Sequence, residues 1–174
     1  MPAYYVLEYD DWVNCVVIDS KNELIMIRQY RRGIDGYVSE FVAGQIEKDD
    51  PSPEKGIKRE LEEELGYVGG EIYQTGVSYP NAASHTNKVH SFLAVGGDCS
   101  QEQRLEAGES LVIERCSLEE VLKNLEDPNS EVVYQSMHIT SLFFALNFIR
   151  KSSLDSLQEL KGKLASVVGG KLMF

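Results

Sequence analysis

The segment from Ser52 to Tyr67 constrains this chain more than any other. Ser52-Pro53-Glu54 reads as a helix start: serine caps, proline takes the first position, and glutamate sits in the first turn. The helix runs to about Leu65, where Gly66 can end it in the left-handed conformation. At ~100° per residue, Ile57, Leu61 and Leu65 form one apolar stripe. Glu60, Glu63 and Glu64 share the adjacent arc, while Glu62 points away. Three carboxylates therefore project together from a helix anchored in the core. Like charges at these spacings destabilise a helix. A hard divalent cation, which takes oxygen ligands and bridges carboxylates to phosphates, offsets that repulsion. Taken alone, such a helix is more often only a solvated acidic face.

The rest of the chain supplies a context of strands and helices. Val13 to Ser20 and Leu24 to Ile27 flank the polar turn Asp19-Ser20-Lys21-Asn22, which reads as a hairpin. A short β-rich stretch, Tyr37 to Val42, leads to Ala43-Gly44 and a polar loop. Further strands are expected at Glu71 to Tyr79, Val89 to Val95 and Leu111 to Cys116, the last after a turn-rich stretch from Gly96 to Gly108. Ser117-Leu118-Glu119-Glu120 has the form of a capping box opening a short helix. His138 to Lys151 reads as a longer, mostly buried helix. After it, Leu154, Leu157, Leu160 and Leu164 recur at roughly helical spacing until Gly169-Gly170. The expectation is an α/β sandwich: one domain over residues 1–151, then a helical tail, 152–174, of unassigned role.

Composition removes several classes. A net charge of −11 argues against a general nucleic-acid binder, which needs clustered Lys and Arg. It is compatible with a small anionic substrate, because a cation reverses the local field in an acidic cleft. Cys15, Cys99 and Cys116 are widely separated, without the spacing of a zinc site or a disulfide framework. No targeting signal is recognisable, and no run approaches the ~20 apolar residues that span a bilayer. The expectation is a soluble, cytoplasmic protein with no membrane partner.

The run Arg59-Glu60-Leu61-Glu62-Glu63-Glu64-Leu65-Gly66-Tyr67 resembles the second half of the Nudix box, Arg-Glu-U-x-Glu-Glu-x-Gly-U with U bulky and apolar. Gly44, in Glu40-Phe41-Val42-Ala43-Gly44-Gln45-Ile46-Glu47, is similar to the box's leading glycine and its entry strand in ADP-ribose pyrophosphatases. Beyond the box, Asp11-Trp12-Val13-Asn14, Ile27-Arg28-Gln29-Tyr30-Arg31, Tyr79-Pro80-Asn81, Thr86 to Ala94 and Leu105 to Leu111 resemble the ADP-ribose and nucleotide-sugar branch. The similarity spans roughly residues 5 to 150. One departure stands out. The family places a Glu six residues after the leading Gly and eight before the Arg. Here those two counts reach Asp50 and Pro51, so the loop is one residue longer and that Glu is absent. Asp50 and Glu54 are the candidates to replace it.

The resemblance implies the Nudix α/β/α sandwich, with a mixed sheet and an antiparallel one. It implies hydrolysis of the diphosphate in ADP-ribose or a nucleotide sugar, giving a nucleoside monophosphate and a sugar phosphate. Mg²⁺ or Mn²⁺ would be held by Glu60, Glu63, Glu64 and the Ala43 carbonyl, with Arg59 orienting a carboxylate. Cations neutralise the diphosphate and acidify water; a carboxylate on the later acidic loop then accepts the proton. Glu109 is the first choice for that base, Glu106 the second and Glu63 the next. Arg31, Arg28, Glu40 and Tyr30 are the substrate-binding candidates. The two arginines sit three apart in a strand and so face opposite sides, with Arg31 preferred. Trp12 and Tyr30 can stack on a base, or simply pack. His85, His90 and His138 read as packing or polar contacts, with His85 nearest the expected mouth. A homodimer sharing its N-terminal strands is expected. Hydrolysis of dinucleoside polyphosphates or dinucleotide cofactors, and a non-catalytic domain sensing a nucleotide, are the alternatives.

Overall fold

The computed structural model describes residues 4–105, 108–130, 132 and 134–168. Strand β1 (Trp12–Ile18) lies at its centre, buried along nearly its whole length. On one side it runs parallel to β7 (Val89–Val95), in register from Trp12↔Val89 to Ile18↔Val95. β7 in turn pairs antiparallel with β6 (Glu71–Ser78), with a register shift between Gln74 and Gly76.

The other side of β1 is shared between two partners. Its first half pairs with β4 (Val42–Gln45), Trp12↔Gln45 through Cys15↔Val42. Its end pairs with β2 (Leu24–Arg31), Val17↔Ile25 and Ile18↔Leu24. β2 continues past β1 to pair with β3 (Gly36–Glu40). Its opposite edge pairs with β9 (Leu111–Cys116). The stretch read as one strand from Tyr37 to Val42 is therefore two strands meeting at Phe41, each bonded to a different neighbour. Apolar residues run through both pieces, so composition alone gives no sign of the corner. A two-stranded antiparallel sheet, β5 (Tyr67–Val68) with β8 (Asp98–Cys99), completes the β-structure.

Helix α1 (Pro53–Leu65) begins and ends as its sequence dictates. Ser52 is extended, and its side chain accepts from the Lys55 N–H. Gly66 ends the helix at φ 58°. A side chain there would also overlap the Gln101 carbonyl, so only glycine suits the position. Ile57, Leu61 and Leu65 pack against Val13, Cys15, Val17, Ile25 and Ile27 on one face of the sheet. The alternate residues Val16, Ile18, Leu24 and Met26 meet the remaining helices on the other face. Those helices are α2 (Leu118–Glu126), α3 (Ser136–Lys151) and α4 (Gln158–Val168). The Ser117 side chain caps α2 by accepting from Glu120 N–H. Two cores about one mixed sheet make the expected three-layer sandwich.

The tail joins the second core. A short 3₁₀ turn, Asp155–Leu157, precedes α4. Leu157 and Leu164 are buried with Leu142, Ala145 and Ile149 of α3, while Leu154 stays exposed. Truncating Leu157 should therefore act like a core deletion. Leu157→Ala is expected to cost ~2–5 kcal/mol in urea unfolding; a cost below ~1 kcal/mol would make the tail peripheral to the cooperative unit.

The segment before Trp12, where the expected dimer would share N-terminal strands, forms no regular strand within the chain over its described residues. Regular pairing starts only at Trp12. Before it, Leu7 makes one isolated bridge with His85, through Leu7 N–H to Ser84 O and Thr86 N–H to Leu7 O. A strand needs a partner edge, and within one chain this loop offers a single rung. Tyr4, Tyr5, Val6, Leu7 and Tyr9 are left exposed.

Candidate active site

Two neighbouring features build the site: an acidic cluster on α1 and a cavity at the fork between β2 and β4. On α1, Glu64 is almost fully buried and Glu60 largely so, while Glu62 turns outward to Arg104. Gly44 lies against Glu60, so closely that a methyl group there would overlap its carboxylate. Burial pushes the Glu60 carboxyl up to about 7, helped by the charges of Glu63 and Glu109 and opposed by Arg59. Burial pushes Glu64 higher, to about 8; Glu60 and Glu109 add to the rise, and the Ala43 N–H opposes it. Glu109 thus comes close to both, from the loop before β9. Glu106 lies outside the described residues.

Arg59 ties this cluster to the loop before α1. Its Nη1 donates to Glu60 at 2.9 Å and to Glu63 at 3.0 Å, and its Nη2 donates to Asp50 at 3.0 Å and to the Gln45 carbonyl at 3.1 Å. Glu47 stands at 3.4 Å. Partial burial works against the guanidinium charge, but Asp50, Glu60 and Glu63 hold it firmly in place. Asp50 also accepts from the Glu47 N–H at 3.0 Å, so of the two candidates to replace the absent Glu it is the one that braces this loop. Glu54 pairs with Lys58 in solvent.

The cluster fits a divalent cation by its chemistry. Glu64 Oε2 is buried without a hydrogen-bond partner among the described residues, whereas Glu60 already pairs with Arg59 at 2.9 Å. Such oxygen donors suit Mg²⁺ or Mn²⁺. Among the described residues, no three acidic, His or Cys groups are already gathered as a ligand set. Glu63 is drawn aside onto Arg59.

A cavity of about 680 Å³ adjoins Ala43 and Gly44, bounded also by Trp12, Arg31, Gln135 and His138. Arg31 donates to Glu40 through Nε at 3.0 Å and Nη2 at 2.6 Å. Glu40 is fully buried and also accepts from Gln135 Nε2. Both oxygens of Glu40 are thus engaged within the protein, by Arg31 and Gln135. Arg31 itself is 43% exposed at its side chain.

Arg28 and Tyr30 do not line this cavity. Strand alternation puts them on the other side of β2 from Arg31. There Arg28 lies over the Tyr37 ring and 4.0 Å from Glu114, and Tyr30 donates to Asp35. His85 packs edge-on to Tyr9, and His90 bonds Asp11 at 3.0 Å. His138 reaches the cavity wall, which its sequence position gave no reason to expect. Nor did the sequence single out Gln135 or Gln103, whose Nε2 donates to the Glu64 carbonyl. Isolated glutamines carry no motif signal.

A sequence model of the NUDIX domain matches residues 9–137. The chain is 29% identical over 122 residues to a Bacillus subtilis (strain 168) protein named ADP-ribose pyrophosphatase, covering 70% of this chain and 65% of that one. It is 32% identical over 94 residues to a Citrobacter koseri protein named GDP-mannose pyrophosphatase, covering 51% and 47%. A Bacillus methanolicus protein named methanol dehydrogenase activator matches at 27% over 92 residues, covering 52% and 49%. The chain thus spans about half to two thirds of the length of these relatives. A solved structure titled as an ADP compounds hydrolase superposes with a TM-score of 0.67 at 24% identity, covering 80% of this chain and 72% of that one, which establishes likeness of fold.

Proposed function

The chain belongs to the Nudix family, and from that premise we propose that it hydrolyses the diphosphate bridge of a nucleoside diphosphate linked to a sugar. ADP-ribose and nucleotide sugars are the favoured substrates; the products are a nucleoside monophosphate and a sugar phosphate. The observation that carries this reading is the placing of Arg31. It is anchored on buried Glu40 at the wall of a ligand-sized cavity, and that cavity adjoins the glycine in contact with Glu60. A diphosphate held by Arg31 reaches the acidic cluster while the attached group fills the cavity. Relatives named ADP-ribose pyrophosphatase and GDP-mannose pyrophosphatase support the substrate class.

In this reading Glu60 and Glu64, with the Ala43 carbonyl and Glu63, hold Mg²⁺ or Mn²⁺, which when bound neutralises phosphate charge and makes water more acidic. Arg59 keeps Glu60 and Glu63 in place. Arg31 fixes the diphosphate, so that an attacking water lines up with one phosphorus and the bridging P–O bond breaks. Glu109 accepts the proton of that water, and the bridging oxygen leaves with the departing phosphate. Its effect on both inner glutamates supports its nearness to the reacting atoms. Glu109→Gln is expected to lower kcat by ~10²-fold or more with KM nearly unchanged. Glu106→Gln is the matched comparison; if that variant alone loses turnover, the role moves to Glu106.

The exposed Tyr4 to Tyr9 segment and its single rung of pairing support a homodimer built on it. Light scattering at micromolar concentration should give twice the chain mass; monomer alone overturns the dimer.

A panel of ADP-ribose, nucleotide sugars and dinucleoside polyphosphates, with Mg²⁺, Mn²⁺ or chelator, tests the activity. Monophosphate release that needs the cation and favours the first two supports the proposal. Preferred turnover of dinucleoside polyphosphates relocates the substrate class, and binding without turnover converts the protein into a sensor.

A further inference from the structure

Beneath α3, four polar side chains from three elements are fully buried: Asn14 on β1, Ser91 on β7, and His138 and Ser141 on α3. Asn14 and Ser91 are register partners on adjacent strands. Asn14 Nδ2 donates to the Met137 carbonyl at 3.4 Å. Among the described residues, Asn14 Oδ1, Ser91 Oγ, Ser141 Oγ and both ring nitrogens of His138 have no hydrogen-bond partner. Leaving even one buried polar group unpaired costs free energy, so a fold that gathers this many at one place calls for a reason. His138 is the member of the set that borders the 680 Å³ cavity, together with Met137 and Arg31.

We propose that His138 is a specificity-determining residue, which hydrogen-bonds a neutral hydroxyl or amide group of the ligand in this cavity, with Asn14, Ser91 and Ser141 forming a polar backing behind it. The inference rests on the reading of the cavity as the substrate pocket given above. It adds the chemistry that the pocket reads. The imidazole packs edge-on against Phe41, ring centroids 6.2 Å apart, and because both its nitrogens are buried it meets the ligand by a turn of the ring toward the cavity. Burial and the nearby Arg31 guanidinium hold it down to about 4, so at neutral pH it has one donor and one acceptor nitrogen and no charge. A neutral reader suits a hydroxyl or a base edge and leaves phosphate to Arg31. The hydroxyl can come from the terminal sugar or from the nucleoside, and the test separates them.

Trp12 is the single tryptophan and lines the same cavity, so its fluorescence reports occupancy without turnover. The full chain in chelator is titrated with ADP-ribose, ADP, ribose 5-phosphate and pyrophosphate, comparing wild type with His138→Leu and His138→Gln. His138→Leu is expected to bind ADP-ribose about tenfold more weakly, and His138→Gln, which keeps hydrogen-bonding capacity, to recover part of that loss. Pyrophosphate binding should be unchanged. The melting temperature of His138→Leu should be equal or higher, because two unpaired nitrogens are removed. Unchanged ADP binding assigns the read group to the terminal ribose; unchanged ribose 5-phosphate binding assigns it to the nucleoside. Equal weakening of all ligands, pyrophosphate included, or no weakening of any, overturns the inference. A wild type whose Trp12 responds to none of them removes the cavity from binding and overturns it too, while the turnover panel separately decides the hydrolase reading.

Discussion

Glu64→Gln should abolish turnover and stabilise the metal-free protein. The two effects have one origin. Glu64 is the most deeply buried carboxyl of the cluster, one of its oxygens is unpartnered, and burial together with three neighbouring glutamates, Glu60, Glu109 and Glu40, raises its proton affinity. Glutamine keeps the shape and the acceptor for the Ala43 N–H but carries no charge to a cation. Turnover should fall by at least ~10²-fold. Stability follows from the proton. Glu64 titrates near 8 in the folded chain against an ordinary value of 4.5. The folded state therefore binds the extra proton, and the stability this gives is fully present below about 4.5 and lost as pH rises through about 8. In chelator at pH 5 the variant and wild type should melt together. At pH 8.5 the variant should melt roughly 5–10 °C higher, the effect of a few kcal/mol in a chain of this size. Adding Mg²⁺ should then raise the wild type alone. A melting difference that does not change with pH would show that Glu64 titrates normally; undiminished turnover would remove it from the metal site.

Gly44→Ala is expected to damage catalysis far more than folding. A methyl group at this position overlaps the Glu60 carboxylate. The obstacle is the end of a flexible side chain, so the fold can yield by swinging Glu60 away, at ~1–3 kcal/mol. The swing breaks its bond to Arg59 and moves an oxygen donor by an ångström or more. Misplacements of that size cost about 10²-fold in rate. Urea unfolding and initial rates measured on the same preparation separate the two effects. A variant with normal rate and normal stability would mean that Glu60 is not fixed where it stands.

Helix α1 was legible in the sequence down to its caps, because Ser52, Pro53 and Gly66 act through local backbone chemistry. The strands at Val89–Val95 and Leu111–Cys116 were equally plain from their apolar runs. The corner at Phe41 was not, since whether a strand breaks depends on which neighbours its halves find. The acidic trio was visible because helical spacing alone gathers it. Glu40 was visible as a residue and not as a role: its burial beneath Arg31 and Gln135 depends on contacts between residues up to 95 positions apart. His138 was passed over for the same reason. A histidine on a mostly apolar helix gives no hint that the helix starts at the rim of a cavity.

The forked pairing of β1 has a consequence for inheritance. The carboxylates that would hold the cation hang from α1, beside β4, whereas Arg31 stands on β2 and His138 on α3. Mutations that retune what enters the pocket can accumulate around Arg31 and His138 while the carboxylates of α1 are left intact. A lineage built on this plan can change its diet without reinventing its teeth.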